Sequence, residues 1–183
     1  KAGLDEALKF LKESVADGKI IMWVGTKRQA QEVVKQAAEK TEMPYFVTRW
    51  PGGYFTNFPQ LQKSVLKLRD LKAKKLAGEL KKYTKREQLL IDREIASLTK
   101  LFGGVETRDK LPDILLIVDT HQEAVAVAEG HLKNIPVVGL VDTNADPDLI
   151  DYVVPSNDDA AKAIELFVNA CTEAILEGKS KLK

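Results

Sequence analysis

The stretches Ile114-Leu-Leu-Ile-Val118, Thr120-His-Gln-Glu123 and Val137-Val-Gly-Leu-Val141 decide the fold. The first and third are short, continuous apolar runs, which are typical of strands buried on both faces. The second matches a capping box, which predicts a helix as far as Leu132. A strand, a helix and a strand in this order predict a right-handed parallel βαβ unit.

The same alternation continues on both sides of this unit. Further strands are predicted at 19–24, 45–47 and 152–154, and further helices at 4–16, 26–40 and 158–176. Short apolar strands that alternate with helices predict a flavodoxin-like, three-layer α/β/α fold with a five-stranded parallel sheet. We predict a single α/β domain over residues 1–183, with a helical hairpin at 58–102 inserted after the second strand.

Charge is unevenly distributed along the chain, although the formal net charge of the 183 residues is only +1. Residues 60–102 carry twelve Lys/Arg against five Asp/Glu, a net charge of +7. Residues 142–177 carry nine acids against one lysine, a net charge of −8. The first segment is therefore a candidate for contact with a polyanion, whereas the second would repel phosphates.

The rest of the composition limits the class of protein. Apolar residues make up 44% of the chain, which is enough for a sizeable core. The single cysteine, Cys171, excludes an intrachain disulfide and fits a reducing cytoplasm. No apolar run approaches the ~18 residues that a membrane-spanning helix needs, so we expect no membrane contact.

Residues 58–102 show two helical stretches, each with an apolar seam and a basic stripe on the opposite face. The seams are Phe58, Leu61, Val65 and Leu68 in the first helix and Ile91, Ile95, Leu98 and Phe102 in the second. The stripes are Lys63, Lys67 and Lys74 in the first helix and Arg86, Arg93 and Lys100 in the second. Thr84-Lys-Arg-Glu87 is a capping box that predicts the start of the second helix.

Two such helices with a short connector predict an antiparallel coiled-coil arm. Lys72 falls in the first seam, which indicates that the zipper is imperfect or ends there. The basic stripes have two interpretations, a solvated face or a set of phosphate contacts that release counterions.

The loop Arg49-Trp-Pro-Gly-Gly-Tyr-Phe-Thr-Asn57 combines residue types that RNA recognition uses. A guanidinium can bind phosphate, aromatic rings can stack on bases, and Thr and Asn can bond to sugar or phosphate. Alternatively, Trp50 and Phe55 anchor the loop in the core, and Thr56 or Asn57 caps the following helix. Residue type favours the anchoring role for Phe55 and leaves both roles open for Trp50.

The turn Val24-Gly-Thr-Lys-Arg28 follows the first predicted strand, at the edge where doubly wound sheets bind ligands. A helix that begins at Thr26 would hold a phosphate at its N-terminus, next to Lys27 and Arg28. The spacing is neither that of a Walker A loop nor Gly-x-Gly-x-x-Gly, which favours an RNA phosphate over a free nucleotide.

We find no motif for catalysis, a metal or a cofactor. The acidic stretch 142–148 resembles a calcium loop, but Pro147 and Val153 stand where an EF-hand needs Gly and Glu. His121 and His131 lack partners at the spacing of a zinc site. We therefore predict no catalytic residue, metal, cofactor or small-molecule substrate.

Five motifs carry a resemblance to a known family. They are Val24-Gly-Thr-Lys-Arg-Gln-Ala30, Arg49-Trp-Pro-Gly-Gly-Tyr-Phe-Thr-Asn57, Leu111-Pro-Asp-Ile-Leu-Leu-Ile-Val-Asp119, Ile135-Pro-Val-Val-Gly-Leu-Val-Asp-Thr-Asn-Ala-Asp-Pro147 and Ile150-Asp-Tyr-Val-Val-Pro-Ser-Asn-Asp-Asp-Ala160. In this order, over essentially the whole chain, they resemble the bacterial small-subunit ribosomal protein S-two (universal uS-two) family. Pro51 departs from the Leu of many members. The family's N-terminal segment, with its Gly-x-His-Phe-Gly-His-type motif, has no counterpart, so upstream residues are expected to be missing.

The resemblance implies a flavodoxin-like sheet with an inserted arm and a non-catalytic role in the cytoplasmic ribosome. That role is binding of small-subunit rRNA between head and body during late assembly, with neighbouring ribosomal proteins and recruitment of the large mRNA-binding protein. The RNA-facing residues it implies are Lys27, Arg28, Arg49, Trp50, Gly52, Gly53, Thr56 and Asn57. Two alternatives are a phosphate- or nucleotide-binding enzyme of flavodoxin-like fold and a protein-interaction module whose arm docks partner helices.

Overall fold

Five strands form one parallel sheet in the computed structural model, which describes residues 2–142, 147–156 and 160–182. The strands are β1 (Ile21–Val24), β2 (Tyr45–Phe46), β3 (Ile114–Val118), β4 (Val137–Val141) and β5 (Tyr152–Pro155). Their order is β2-β1-β3-β4-β5, and every neighbouring pair is parallel. This is the flavodoxin-like order of a doubly wound sheet, so the predicted fold class is confirmed.

Helices cover both faces of the sheet. They are α1 (Ala2–Ala16), α2 (Gln31–Thr41), α3 (Phe58–Leu76), α4 (Lys85–Phe102), α5 (Ala124–Leu132) and α6 (Ala161–Lys179). Successive strand residues point to opposite faces, so Trp23 packs in one core cluster and Met22 in the other. The first cluster includes side chains of α1, α2 and α6, and the second includes α5, the 49–57 loop and the start of α3.

Two predicted helix starts are wrong. The second helix begins at Gln31, not at Thr26, and the residues between them form a turn. The fifth helix begins at Ala124 with no side-chain cap, so Thr120 does not form the predicted capping box. The physical reason is the same in both cases, because the carboxylate of Glu123 binds Thr26 instead of capping its own helix. The last helix begins at Ala161, and its predicted start at 158 lies outside the described residues.

The helices α3 and α4 lie between β2 and β3 in the chain and contact each other. Lys67 pairs with Glu94, and Lys75 pairs with Asp92 at 2.8 Å. The predicted capping box at Thr84 is confirmed, because its side chain accepts the Glu87 N–H at 3.3 Å and its N–H donates back at 2.8 Å. That residues 58–102 form an inserted antiparallel arm stays a prediction.

Burial is uneven along α3, the helix that carries the first seam. Val65 and Leu68 are fully buried, whereas Leu76 is 92% exposed. Lys72 does not pack in an apolar seam; its ammonium pairs with Glu106, which follows α4. The expected imperfection of the seam at Lys72 therefore has a cause, since an ammonium group needs a charged or solvated environment.

Candidate nucleic-acid interface

The 49–57 loop is fixed from below by one buried side chain, Glu129 of α5. One carboxylate oxygen, Oε1, accepts the Gly53 N–H at 2.6 Å and the Trp50 indole N–H at 3.3 Å. The other, Oε2, accepts the N–H groups of Phe55 at 2.9 Å and Thr56 at 3.3 Å. Four donors of the loop therefore bind one acid that lies more than 70 residues away in sequence.

The aromatic residues of the loop anchor it in the core. Tyr54 and Phe55 are each 1% exposed. The half-buried Trp50 makes edge contacts with Phe46, Tyr54 and Phe55, with ring centroids 5.0–5.6 Å apart. Burial also raises the pKa of the Tyr54 hydroxyl. The anchoring interpretation is thus correct for Phe55, and the packing favours it for Trp50 over base stacking.

The outer edge of the loop presents polar groups to solvent. Arg49, Gly52, Thr56 and Asn57 are exposed. Gly53 has a φ of +88°, a left-handed conformation that glycine adopts without strain. A Cβ on Gly52 would meet nothing within 4 Å, so the backbone here is open to close approach. Asn57 is the N-cap of α3 but makes no side-chain cap hydrogen bond.

The turn after β1 is satisfied within the chain. Glu123 accepts the Thr26 N–H at 2.9 Å and also binds its hydroxyl, and the Gln122 amide donates to that hydroxyl at 2.9 Å. Lys27 pairs with Asp119 at 2.9 Å, and both side chains are largely buried. Thr26 and Lys27, which were predicted to hold a phosphate, therefore bind carboxylates of the chain itself. Of the three residues predicted for this site, only Arg28 is exposed.

The first basic stripe is partly neutralised by neighbouring acids. Lys67 pairs with Glu94, and Lys74 pairs with Asp70 at 2.6 Å. The third member, Lys63, donates to the amide oxygen of Gln60 at 3.1 Å. Asp70 raises the pKa of Lys74 through their hydrogen bond and its charge. All three lysines are exposed, but Lys67 reaches an acid of α4, so it does not lie fully opposite the seam, and its acidic partner was not predicted.

The second basic stripe is exposed and has no acid partner among the residues that the structure describes. It consists of Arg86, Arg93 and Lys100 on α4. The only hydrogen bond in the described part that involves these three residues outside their helix is to the Lys100 carbonyl, which accepts the Thr48 hydroxyl at 2.9 Å. This contact brings the end of α4 close to the 49–57 loop.

Residues 1–178 match the family whose description is "Ribosomal protein S2". The chain belongs to the ribosomal protein S2 family. It is 48% identical over 179 residues to a protein of Roseiflexus sp. strain RS-1, 44% over 174 residues to one of Helicobacter hepaticus and 45% over 182 residues to one of Porphyromonas gingivalis. Each of these relatives is named small ribosomal subunit protein uS2.

These alignments cover 98%, 95% and 100% of this S2-family chain, and 68%, 66% and 65% of the three relatives. The chain therefore spans about two thirds of the length of the proteins that it matches. The expected family is confirmed, and with it the expectation of a ribosomal protein that is not an enzyme.

The acids that organise the S2-family site were not predicted. Asp119 and Glu123 follow β3, and Glu129 lies within α5; all three are buried. One signal was present in the sequence, because Glu129 stands beside the apolar and small positions Ala126 and Gly130, where a core is expected. The sequence does not reveal which N–H groups donate hydrogen bonds to each carboxylate.

Within 2–142, 147–156 and 160–182 the structure shows no cluster of metal-binding side chains. These residues contain no group of three His, Cys, Asp or Glu side chains that could hold a metal ion. Four residues of the acidic stretch 142–148 lie outside the described part. Cys171 is buried in the core, and burial raises the pKa of its thiol. None of the described helices has the length and apolar character that crossing a membrane requires.

Proposed function

We propose that this S2-family chain is a structural constituent of the cytoplasmic small ribosomal subunit that binds small-subunit rRNA at the head–body junction. The observation that carries the proposal is the outer edge of the 49–57 loop, where exposed Arg49, Gly52, Thr56 and Asn57 lie on a loop fixed from below. A fixed loop that offers a guanidinium, an open backbone and two polar side chains suits contact with sugar and phosphate.

The basic stripes extend this surface along α3 and α4. The second stripe adds Arg86, Arg93 and Lys100 without acid partners in the described part of the chain, and the Thr48 contact joins it to the loop. We propose that both stripes contact phosphates, with the second contributing more than the first. The proposed surface also includes Lys27 and Arg28, of which Arg28 is the more accessible.

Chemical footprinting of small-subunit rRNA with and without the protein tests the proposal. We expect protected nucleotides to cluster at the head–body junction, and Arg49→Glu to remove part of the protection. Lys9→Glu on α1 is the matched control, since Lys9 is exposed and lies in a helix of the opposite core cluster. Protection that is unchanged by Arg49→Glu, or is removed equally by Lys9→Glu, would contradict the proposed surface.

A second function, docking of a protein by α3 and α4, is favoured by exposed apolar side chains. Leu76 is 92% exposed, Leu89 51%, Leu90 55% and Tyr83 41%. Such side chains suit contact with a protein better than contact with RNA. We propose that they contribute to late assembly and to recruitment of the large mRNA-binding protein. Leu76→Ser with Leu90→Ser should reduce that recruitment and leave the rRNA footprint at the loop unchanged.

The enzymatic alternative receives no support from the β1 turn. A phosphate that entered this turn would have to displace Glu123 from Thr26 and compete with Asp119 for Lys27. Both carboxylates are buried, so displacing them would be costly.

A further inference from the structure

Glu129 is a buried acid that lacks a cationic partner in the described part of the chain. It is 6% exposed, and none of the ion pairs involves it. An ionised carboxylate in such a position is unfavourable unless hydrogen bonds replace its water shell. Here each oxygen receives two N–H donors, and all four come from the 49–57 loop.

The direction of these donors determines which side of the loop faces outward. The N–H groups of Gly53, Phe55 and Thr56 all point to the carboxylate, so the backbone of this stretch curves around Glu129. The side chains of Arg49, Thr56 and Asn57, in contrast, are exposed to solvent. The positive φ of Gly53 provides the curvature, and Glu129 selects it from the many conformations that a Gly-Gly segment can adopt.

We infer that Glu129 is a positioning residue for RNA recognition: it holds the 49–57 loop in the conformation that binds rRNA without touching the RNA itself. This inference rests on the proposed function of the loop. It also explains why the residue is an acid, since a carboxylate has acceptor capacity for four donors and no hydrogens of its own. A glutamine at this position would place an NH₂ group against two of the loop N–H groups.

The test is a double-mutant cycle on binding of in vitro transcribed, full-length small-subunit rRNA, with Glu129→Gln and Arg49→Ala. We expect Glu129→Gln to weaken binding about tenfold in the parent, equivalent to roughly 1.4 kcal/mol. In the Arg49→Ala background the same substitution should cost clearly less, because both variants act through one loop. The amide hydrogens of Gly53, Phe55 and Thr56 should also exchange faster with solvent.

Controls separate loop positioning from a general loss of stability. Val168→Ala removes two methyl groups from the opposite core cluster, so it destabilises the fold without touching the loop. It should leave rRNA affinity unchanged at a temperature where the variant is folded. Glu129→Asp keeps a carboxylate and should recover part of the affinity. If Glu129→Gln is unfolded at the assay temperature, Glu129→Asp takes its place in the cycle and should show the same coupling to Arg49.

Failure of the inference is distinguishable from failure of the proposed function. If the parent does not bind rRNA, or if Arg49→Ala binds as the parent does, the proposed function of the loop is wrong. If Arg49→Ala weakens binding but folded Glu129→Gln and Glu129→Asp bind as the parent does, the loop binds RNA and the positioning role is wrong. Equal costs of Glu129→Gln in both backgrounds would also overturn the inference.

Discussion

The β1 turn and the 49–57 loop are both held by buried glutamates near α5, but they differ in what they leave exposed. Glu123 binds Thr26 of the turn, and Glu129 binds three backbone N–H groups of the loop. In the turn, the adjacent cation Lys27 is itself paired with Asp119 and largely buried. In the loop, Arg49 is exposed and pairs with no acid in the part of the chain that the structure describes.

This difference indicates that residue types suited to binding phosphate can also be used for contacts within the chain. The Gly-Thr-Lys turn uses its hydroxyl, N–H and ammonium mainly to join β1 to the segment after β3. The loop donates its backbone N–H groups to the buried Glu129 and leaves the guanidinium of Arg49 exposed. We therefore expect the turn to contribute more to stability than to binding, and the loop to contribute to both through separate residues.

The largest effect on stability should come from replacing Glu129, the glutamate of α5 that binds the loop. Glu129→Ala leaves four donors without their acceptor, whereas Glu123→Ala affects one N–H and one hydroxyl of Thr26. We expect losses in the free energy of unfolding of about 3–4 kcal/mol and about 2 kcal/mol, respectively, because buried unsatisfied donors cost roughly 1–3 kcal/mol each and relax in part. Urea denaturation measures both. As a control, Glu173→Ala at an exposed position should change the free energy of unfolding by less than about 0.5 kcal/mol. Equal losses for Glu129→Ala and Glu123→Ala would contradict the comparison.

The second prediction compares the stability effects of Lys27 in the turn and Arg49 in the loop. Asp119→Asn removes the charge that pairs with Lys27 but suits the backbone, since Asp119 has a φ of +67° and Asn tolerates this region. We expect it to reduce the free energy of unfolding by about 2 kcal/mol, because a hydrogen bond between charged groups contributes roughly 1.5–3 kcal/mol and the neutral amide retains only part of it. Arg49→Ala should change stability by less than about 0.5 kcal/mol.

Thermal or urea unfolding checks both variants, and an rRNA-binding assay completes the contrast. Arg49→Ala should weaken binding while leaving the unfolding transition in place. Should Asp119→Asn instead leave the protein as stable as the parent and abolish RNA binding, the turn would contribute more to binding than to stability and the contrast would be reversed.

A smaller effect should separate the two basic stripes. Replacing Arg86, Arg93 and Lys100 with alanine should flatten the dependence of log Kd on log salt more than replacing Lys63, Lys67 and Lys74. The reason is that Lys67 and Lys74 already pair with acids of the chain. Each phosphate contact contributes a slope of roughly 0.7–0.9, so the expected losses are about 2 for the second stripe and about 1 for the first. Equal losses of slope for the two triple variants would show that the ion pairs of Lys67 and Lys74 open when the protein binds RNA.

Sequence patterns were sufficient for the fold because they report on burial. Runs such as Ile114–Val118 are apolar without interruption, and the structure places all five side chains in the core. The same reasoning gave the correct anchoring role for Phe55 and the capping box at Thr84. Each of these features depends on neighbours within a few residues or on hydrophobicity alone.

The wrong predictions concern polar groups that have more than one possible hydrogen-bond partner. Thr120 and Glu123 fit a capping box, but the carboxylate binds Thr26 in another element. The Thr120 hydroxyl is buried with no hydrogen-bond partner in the described part of the chain. Local spacing cannot rank a distant partner against a near one. For the same reason, the hydrogen bonds of Glu129 to the 49–57 loop were not predictable, although an acid among apolar residues of a helix could have been recognised as buried.

The smallest expected effect is a pH dependence that belongs to the turn. Burial raises the pKa of Glu123 above its usual value near 4.5, and the charge of Asp119 acts in the same direction, although the hydrogen bonds from Thr26 oppose it. The folded state therefore binds this proton more tightly than the unfolded state, and Glu123 contributes less to stability as pH rises from about 4.5 through its raised folded-state pKa. Unfolding of the parent and Glu123→Gln at a series of pH values measures this. The stability of the parent relative to the variant should fall over that window and then level off, and a relative stability that rises with pH would mean that the Thr26 hydrogen bonds outweigh burial.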